Sequence, residues 1–186
     1  MKSTFILLFL TILLVSCNEI EPRRPVQKKS GSFIEASVER SKKLLAQEES
    51  YIKSLIEKDT VNTYLSSNYG FWYYYNQKVD SLTYLPQPDD EVVLSYNLLS
   101  LKNDTIYSTD EIGETQIMVD KSQLFPGLRN ALKLLKEGEQ ATFLFPSSTA
   151  FGYKGDDNKI GPNTPLKTNL EIVKIIKQKD SLNPSR

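Results

Sequence analysis

The chain has 186 residues with 23 basic and 23 acidic side chains, a formal net charge of zero, one Cys and no His. Without histidine there is no Ser-His-Asp or Cys-His relay, no His general base and no His-containing zinc site, and a lone cysteine removes CxxC redox chemistry, cysteine-cluster metal sites and intrachain disulfides. The balanced charge argues against a nucleic-acid partner, which needs surplus Lys and Arg to displace counterions from phosphates, and the length fits one ordinary domain with extensions.

Residues 1–17 read as a signal segment: Lys2 gives a positive start, an apolar stretch runs from Phe5 to Val15, and Ser16 and Cys17 follow. That stretch is too short to span a bilayer of roughly 30 Å as a helix. The order Leu14-Val15-Ser16-Cys17 resembles the lipobox of bacterial lipoproteins. The resemblance implies that Cys17 is lipidated and that the chain is lipid-anchored to a bacterial envelope membrane, facing the periplasm. Residues 18–32, with Pro22, Pro25 and almost no apolar side chain, cannot bury enough surface to order themselves and read as a flexible tether.

Ser32 and Glu35 have the form of a capping box, and Ile34, Val38, Leu45, Ile52 and Leu55 recur at helical spacing opposite a charged face. This predicts an amphipathic helix over 33–60. Its apolar stripe fits two roles equally, packing on the chain's own domain or pairing with a second copy or a client.

A domain is expected over 66–177. The aromatic run 71–75 suggests a strand covered on both sides, with Trp72 and Tyr74 on one face and Phe71, Tyr73 and Tyr75 on the other. After a Pro86/Pro88 turn, Val92, Leu94, Tyr96 and Leu98 alternate, as do Thr115, Ile117 and Val119. Leu128, Ala131, Leu132 and Leu135 follow at helical steps, with Gly138 able to supply a left-handed C-terminal residue. Strands over 139–145 and 167–176 flank a Gly- and Pro-rich loop, and 178–186 reads as a frayed tail. The pattern predicts an α+β fold: an antiparallel five- to six-stranded sheet wrapped on one short helix, preceded by the amphipathic helix.

The segments Phe125-Pro126-Gly127-Leu128, Leu135-Lys136-Glu137-Gly138-Glu139-Gln140-Ala141-Thr142-Phe143, Ala150-Phe151-Gly152 and Glu171-Ile172-Val173-Lys174-Ile175, with Ile160, Pro162 and Leu166 between, resemble the C-terminal half of the FK506-binding (FKBP) family of peptidyl-prolyl isomerases. Together with the lipobox and the N-terminal helix, the whole chain resembles the FKBP-type lipoproteins associated with gliding motility in Bacteroidota. The resemblance implies a pocket whose catalytic wall is Tyr96, Ile106, Phe125, Leu128 and Phe151, with Leu124, Tyr107, Ile160 and Thr168 contacting substrate and the Phe125 N–H as donor. It also implies proline-containing polypeptide clients and no metal or cofactor.

Several positions depart from the family pattern. Tyr107 stands where active members carry an aspartate, Leu128 replaces a tryptophan at the pocket floor, Phe151 replaces a tyrosine, and Thr115 and Thr168 replace aromatic residues. The loss of a carboxylate and a phenol removes polar contacts that orient substrate. Two expectations follow: an isomerase of reduced activity that assists folding of exported envelope proteins, or an FKBP-fold binding module or holdase serving an envelope machine. The cluster Asp156-Asp157-Asn158 reads as a solvated turn, since adjacent residues cannot wrap a calcium ion.

Overall fold

The computed structural model describes residues 30–81 and 83–178. Cys17, the lipobox, most of the expected tether and nearly all of the tail lie outside the described residues. The chain divides into two compact units, Met1–Ser37 and Val38–Arg186. Of the first, the structure describes only the opening residues of one helix.

That helix, α1, runs over Ser30–Lys58. It begins before the expected start, so residues 30–32 belong to it rather than to the tether, and Ser32 is no N-cap. Once a helix is nucleated each added residue contributes a further hydrogen bond, which carries it through residues of modest propensity. Its C-terminal side is closed by Asp59. The carboxylate of that residue accepts from the Asn62 side chain at 2.9 Å, the Val61 N–H at 3.0 Å and the Tyr64 hydroxyl at 3.0 Å. These bonds, the Asn62 amide foremost, hold the Asp59 carboxyl at about 2.

The apolar stripe of α1 is not used uniformly. Ile34 and Val38 are 59% and 45% exposed, whereas Ile52 is completely buried. Ile52 packs with Leu101 and Leu144, flanked by Leu55, Ile56, Tyr64 and Trp72. The end of the helix therefore covers the outer face of the sheet.

Every strand pairing is antiparallel, and the principal sheet order is β1-β2-β7-β8-β3-β6. The strands are β1 Leu65–Ser66, β2 Trp72–Gln77, β3 Glu91–Tyr96, β4 Leu98–Ser100, β5 Thr105–Tyr107, β6 Thr115–Met118, β7 Gln140–Phe145 and β8 Leu166–Ile176. The sheet is eight-stranded rather than five- or six-stranded. Part of the difference is a break at Asn97, which separates β3 from β4. There the Asn97 side-chain oxygen accepts from Asn169 N–H at 2.9 Å, and Asn97 N–H donates to Asn169 C=O at 3.2 Å.

Alternation along the strands separates two apolar layers. Tyr75 pairs with Ala141, Ala141 with Leu170 and Leu170 with Tyr96, so one row of inward side chains crosses four strands. The next row runs Tyr73, Phe143, Thr168. Phe71, Tyr73 and Tyr75 belong to this inner core, while Trp72 packs on the outer cluster beneath α1. The aromatic strand is thus covered on both sides, as its composition suggested. β7 is buried along both faces from Ala141 to Phe145, and the polar Thr142 is accommodated by bonds to Asn76 and Asn169, each 2.8 Å.

Two further helices follow β5. The one-turn α2, Thr109–Ile112, was not anticipated, although Ser108 and Glu111 have the spacing of a cap: the Ser108 hydroxyl accepts from Glu111 N–H at 3.1 Å. Helix α3, Pro126–Ala131, continues as a 3₁₀ turn over Leu132–Leu134. Its Leu128, Ala131, Leu132 and Leu135 are buried in the inner core at the expected helical steps. Gly138 has φ +76° and lies in the turn that leads to β7.

Candidate active site

The candidate site residues include the N-terminal end of α3. Phe125 is the N-cap with extended backbone (φ −63°, ψ 150°), and Pro126 follows in the first turn. Proline's fixed φ suits that position, and an N-cap N–H has no partner inside the helix. Arg129, one turn on, donates from Nη2 to Leu124 C=O at 2.9 Å and so ties the approach segment to the helix. Gly127 permits close approach: a Cβ there would lie 2.5 Å from the Phe145 ring and 2.8 Å from Thr149 C=O.

Phe125 meets Phe151 with ring centroids 5.0 Å apart and Phe145 at 5.4 Å. Leu128, Ile160 and Phe125 are buried members of the same cluster, and Tyr96, Ile106, Tyr107, Leu124 and Phe151 pack against it while remaining partly exposed. All eight therefore belong to one core cluster, the first three buried and the others partly exposed. Burial pushes the Tyr96 phenol up from its usual range. Thr168 faces inward as its parity requires and is fully buried, paired across the sheet with Phe143. Its hydroxyl has no hydrogen-bond partner among the described residues.

Around Tyr107, which the resemblance assigned to the site, the polar partners are residues that it did not: Glu111, Asp156, Asn158 and Lys159. The Tyr107 hydroxyl donates to the Asp156 carboxylate at 2.5 Å and accepts from the Asn158 side chain at 3.0 Å. The Lys159 ammonium sits 4.7 Å from the Tyr107 ring centroid and pairs with Glu111 of α2. Asp156 also accepts from Ile160 N–H at 2.7 Å and Asn158 N–H at 2.9 Å. Partial burial pushes the Asp156 carboxyl up, but the bonds from Tyr107, Ile160 and Asn158 outweigh it and hold the group below the usual carboxylate range. The same bond to a carboxylate raises the Tyr107 phenol. Asp156-Asp157-Asn158 is thus a turn, but Asp156 is half-buried and fastens the loop to β5. Gly155 makes that turn possible, with φ +74° and a Cβ position only 2.2 Å from Ile160 C=O.

Among the described residues no group of three or more His, Cys, Asp or Glu side chains is placed to hold a metal ion. What the geometry provides is an apolar, aromatic cluster, partly exposed at Tyr96, Ile106, Leu124 and Phe151, with the carboxylate-phenol pair of Asp156 and Tyr107 beside it.

Residues 83–173 match the model of the FKBP-type peptidyl-prolyl cis-trans isomerases. The matched segment is thus similar to an FKBP-type domain. It is 32% identical over 127 residues to the protein named "Probable FKBP-type peptidyl-prolyl cis-trans isomerase FkpA" of Neisseria meningitidis serogroup B (strain ATCC BAA-335 / MC58). That match covers 68% of this chain and 44% of the relative, so the chain spans less than half the relative's length. A solved peptidyl-prolyl cis-trans isomerase from Pseudomonas syringae pv. tomato has the same fold, with TM-score 0.57 and 19% identity over 74% of this chain and 96% of that one.

Proposed function

We propose that the domain is a peptidyl-prolyl cis-trans isomerase acting on exported polypeptides. The observation that carries this is the contact of Phe125, the N-cap of α3, with the partly exposed Phe151, in a core that also takes in Tyr96, Ile106, Tyr107, Leu124, Leu128 and Ile160. An X-Pro bond rotates over a barrier of about 18–20 kcal/mol because resonance gives C–N double-bond character. An apolar surrounding disfavours the charge-separated resonance form, so moving the amide from water into this cluster lowers the barrier. The Phe125 N–H holds a substrate carbonyl while the proline ring, seated among the aromatic side chains, keeps its place. No nucleophile, metal or proton transfer is needed.

The lipobox resemblance supports placing this activity at an envelope membrane, anchored through Cys17. The resemblance of the whole chain to gliding-motility lipoproteins supports clients in that machinery. A catalytically weak binding module is favoured by one feature: the Tyr107 hydroxyl is committed to Asp156 rather than turned to substrate.

The deciding experiment follows isomerisation of a short X-Pro peptide by the full chain and by Phe151→Tyr. Catalysis above buffer, raised in Phe151→Tyr by the added rim hydroxyl, is expected. No catalysis in either would establish the binding-module reading instead.

A further inference from the structure

Glu48 lies on α1, outside the segment that matches the family, and is 8% exposed. Both its carboxylate oxygens are used by one residue: Ser147 N–H donates to one at 2.7 Å and the Ser147 hydroxyl to the other at 2.8 Å. Ser147 is itself buried and opens the 3₁₀ turn Ser147–Thr149. Its carbonyl in turn accepts from Gly152 N–H at 2.9 Å, the residue directly after Phe151. The other side of that turn faces α3, where Thr149 C=O lies against Gly127. One turn further along α1, Ile52 inserts beside Leu144 and Trp72 and fixes the helix on the sheet.

We propose that Glu48 is a positioning residue for the site: through Ser147 it sets the turn that places Phe151 against Phe125, so that an element added to the family domain tunes how the pocket holds a proline. This rests on the site assignment above but not on catalysis. Among the described residues no ion pair is made by Glu48; a carboxylate so buried is costly unless its lone pairs are used, and here both oxygens are bonded to the turn that leads into Phe151.

The test uses the full chain with Glu48→Ala, Glu48→Gln and Ser147→Ala. Three quantities are read: affinity for a short X-Pro peptide by titration, amide hydrogen exchange at residues 147–152, and emission of Trp72, the single tryptophan. Glu48→Ala should weaken peptide affinity on the order of tenfold, as a small misplacement of a site residue does. It should also speed exchange at Ser147 and Gly152, with Trp72 emission unchanged because Ile52 still docks. Glu48→Gln can offer an oxygen to the N–H and an amide to the hydroxyl oxygen, and should recover most of the affinity. Should Glu48→Ala fail to fold, Ser147→Ala, which keeps the N–H bond, should show the same two effects in smaller degree.

Unchanged peptide affinity or unchanged exchange in the folded variants overturns the proposal. So does a shift in Trp72 emission of the same proportion in every variant, since the effect would then be loss of helix docking. If the wild-type chain binds the peptide without isomerising it, the isomerase reading fails while affinity and exchange still decide the role of Glu48.

Discussion

Tyr107 shows how one residue reads differently in sequence and in space. As a replacement for an aspartate it signals a missing acid, yet the structure sets the Asp156 carboxylate on its hydroxyl. The pair makes a direct prediction. Tyr107→Phe removes a donor that stabilises the charged form, so the Asp156 carboxyl should rise toward the usual carboxylate value, as read by carboxyl-carbon NMR titration. An unmoved Asp156 would show that the two backbone N–H donors suffice alone. Thr168 supports a second prediction. Its buried hydroxyl lacks a partner, and such a group costs about 1–3 kcal/mol. Thr168→Val should therefore stabilise the fold by about 1 kcal/mol in urea unfolding, and since the hydroxyl is out of reach of a bound peptide, affinity for an X-Pro peptide should not change.

At the scale of elements, α1 and α3 carry the argument. Only the later part of the α1 stripe is buried, because Ile52 reaches Leu144 and Trp72 while Ile34 and Val38 remain at the surface. Ile52→Ala should cost about 2–5 kcal/mol of stability, as deletion of a buried branched side chain does. It should also shift Trp72 emission toward that of an exposed indole. Stability within a few tenths of wild type would mean that the helix adds nothing to the fold. In α3 the constraint is steric: Gly127→Ala drives a Cβ into the Phe145 ring. Because the Cβ also meets the Thr149 carbonyl at 2.8 Å, turning the ring is not enough and the backbone must shift, at about 1–3 kcal/mol. Because Phe145 also touches Phe125, ring shifts of Phe125 should appear in the aromatic NMR spectrum of this variant. The sequence located both helices, since a strict helical repeat of apolar residues has few other solutions. It could not say which part of the α1 stripe is covered, because an apolar face looks the same whether its partner is a sheet or a second molecule.

For the molecule as a whole, three carboxylates tie down chain segments and are held below their usual range. Asp59 does so after α1, Asp156 at the site loop, and Asp90 ahead of β3, where burial raises the group but Tyr84, Gln87 N–H and Gln178 N–H lower it more. A depressed folded-state value means that the unfolded chain binds protons first. These contributions are complete above the unfolded value of about 3.9 and are lost as pH falls through the lower folded values. Urea midpoints should hold between pH 7 and pH 5 as far as these groups go, and fall below about pH 4. A midpoint flat from pH 5 to pH 3 would show that the bonds are equally strong with neutral acids.

What the sequence determined alone is what short-range periodicity and covalent chemistry can fix. The strict alternation of Val92, Leu94, Tyr96 and Leu98, the helical steps from Leu128 to Leu135 and the absence of histidine set the α+β class and excluded relay and His-metal chemistry before any coordinate was known. The family motifs then pointed to the apolar wall, since bulky side chains at fixed spacing around Phe125-Pro126-Gly127-Leu128 are visible in one dimension. Tertiary structure decided the polar part. Asp156 meets Tyr107 across a separation of 49 residues and Glu48 meets Ser147 across 99, and nothing local in either segment records its partner. Apolar burial is non-directional and leaves a repeating signature along the chain. A hydrogen bond is directional and depends on where two remote backbones bring a donor and an acceptor within about 3 Å, and that position exists only once the sheet has set its register.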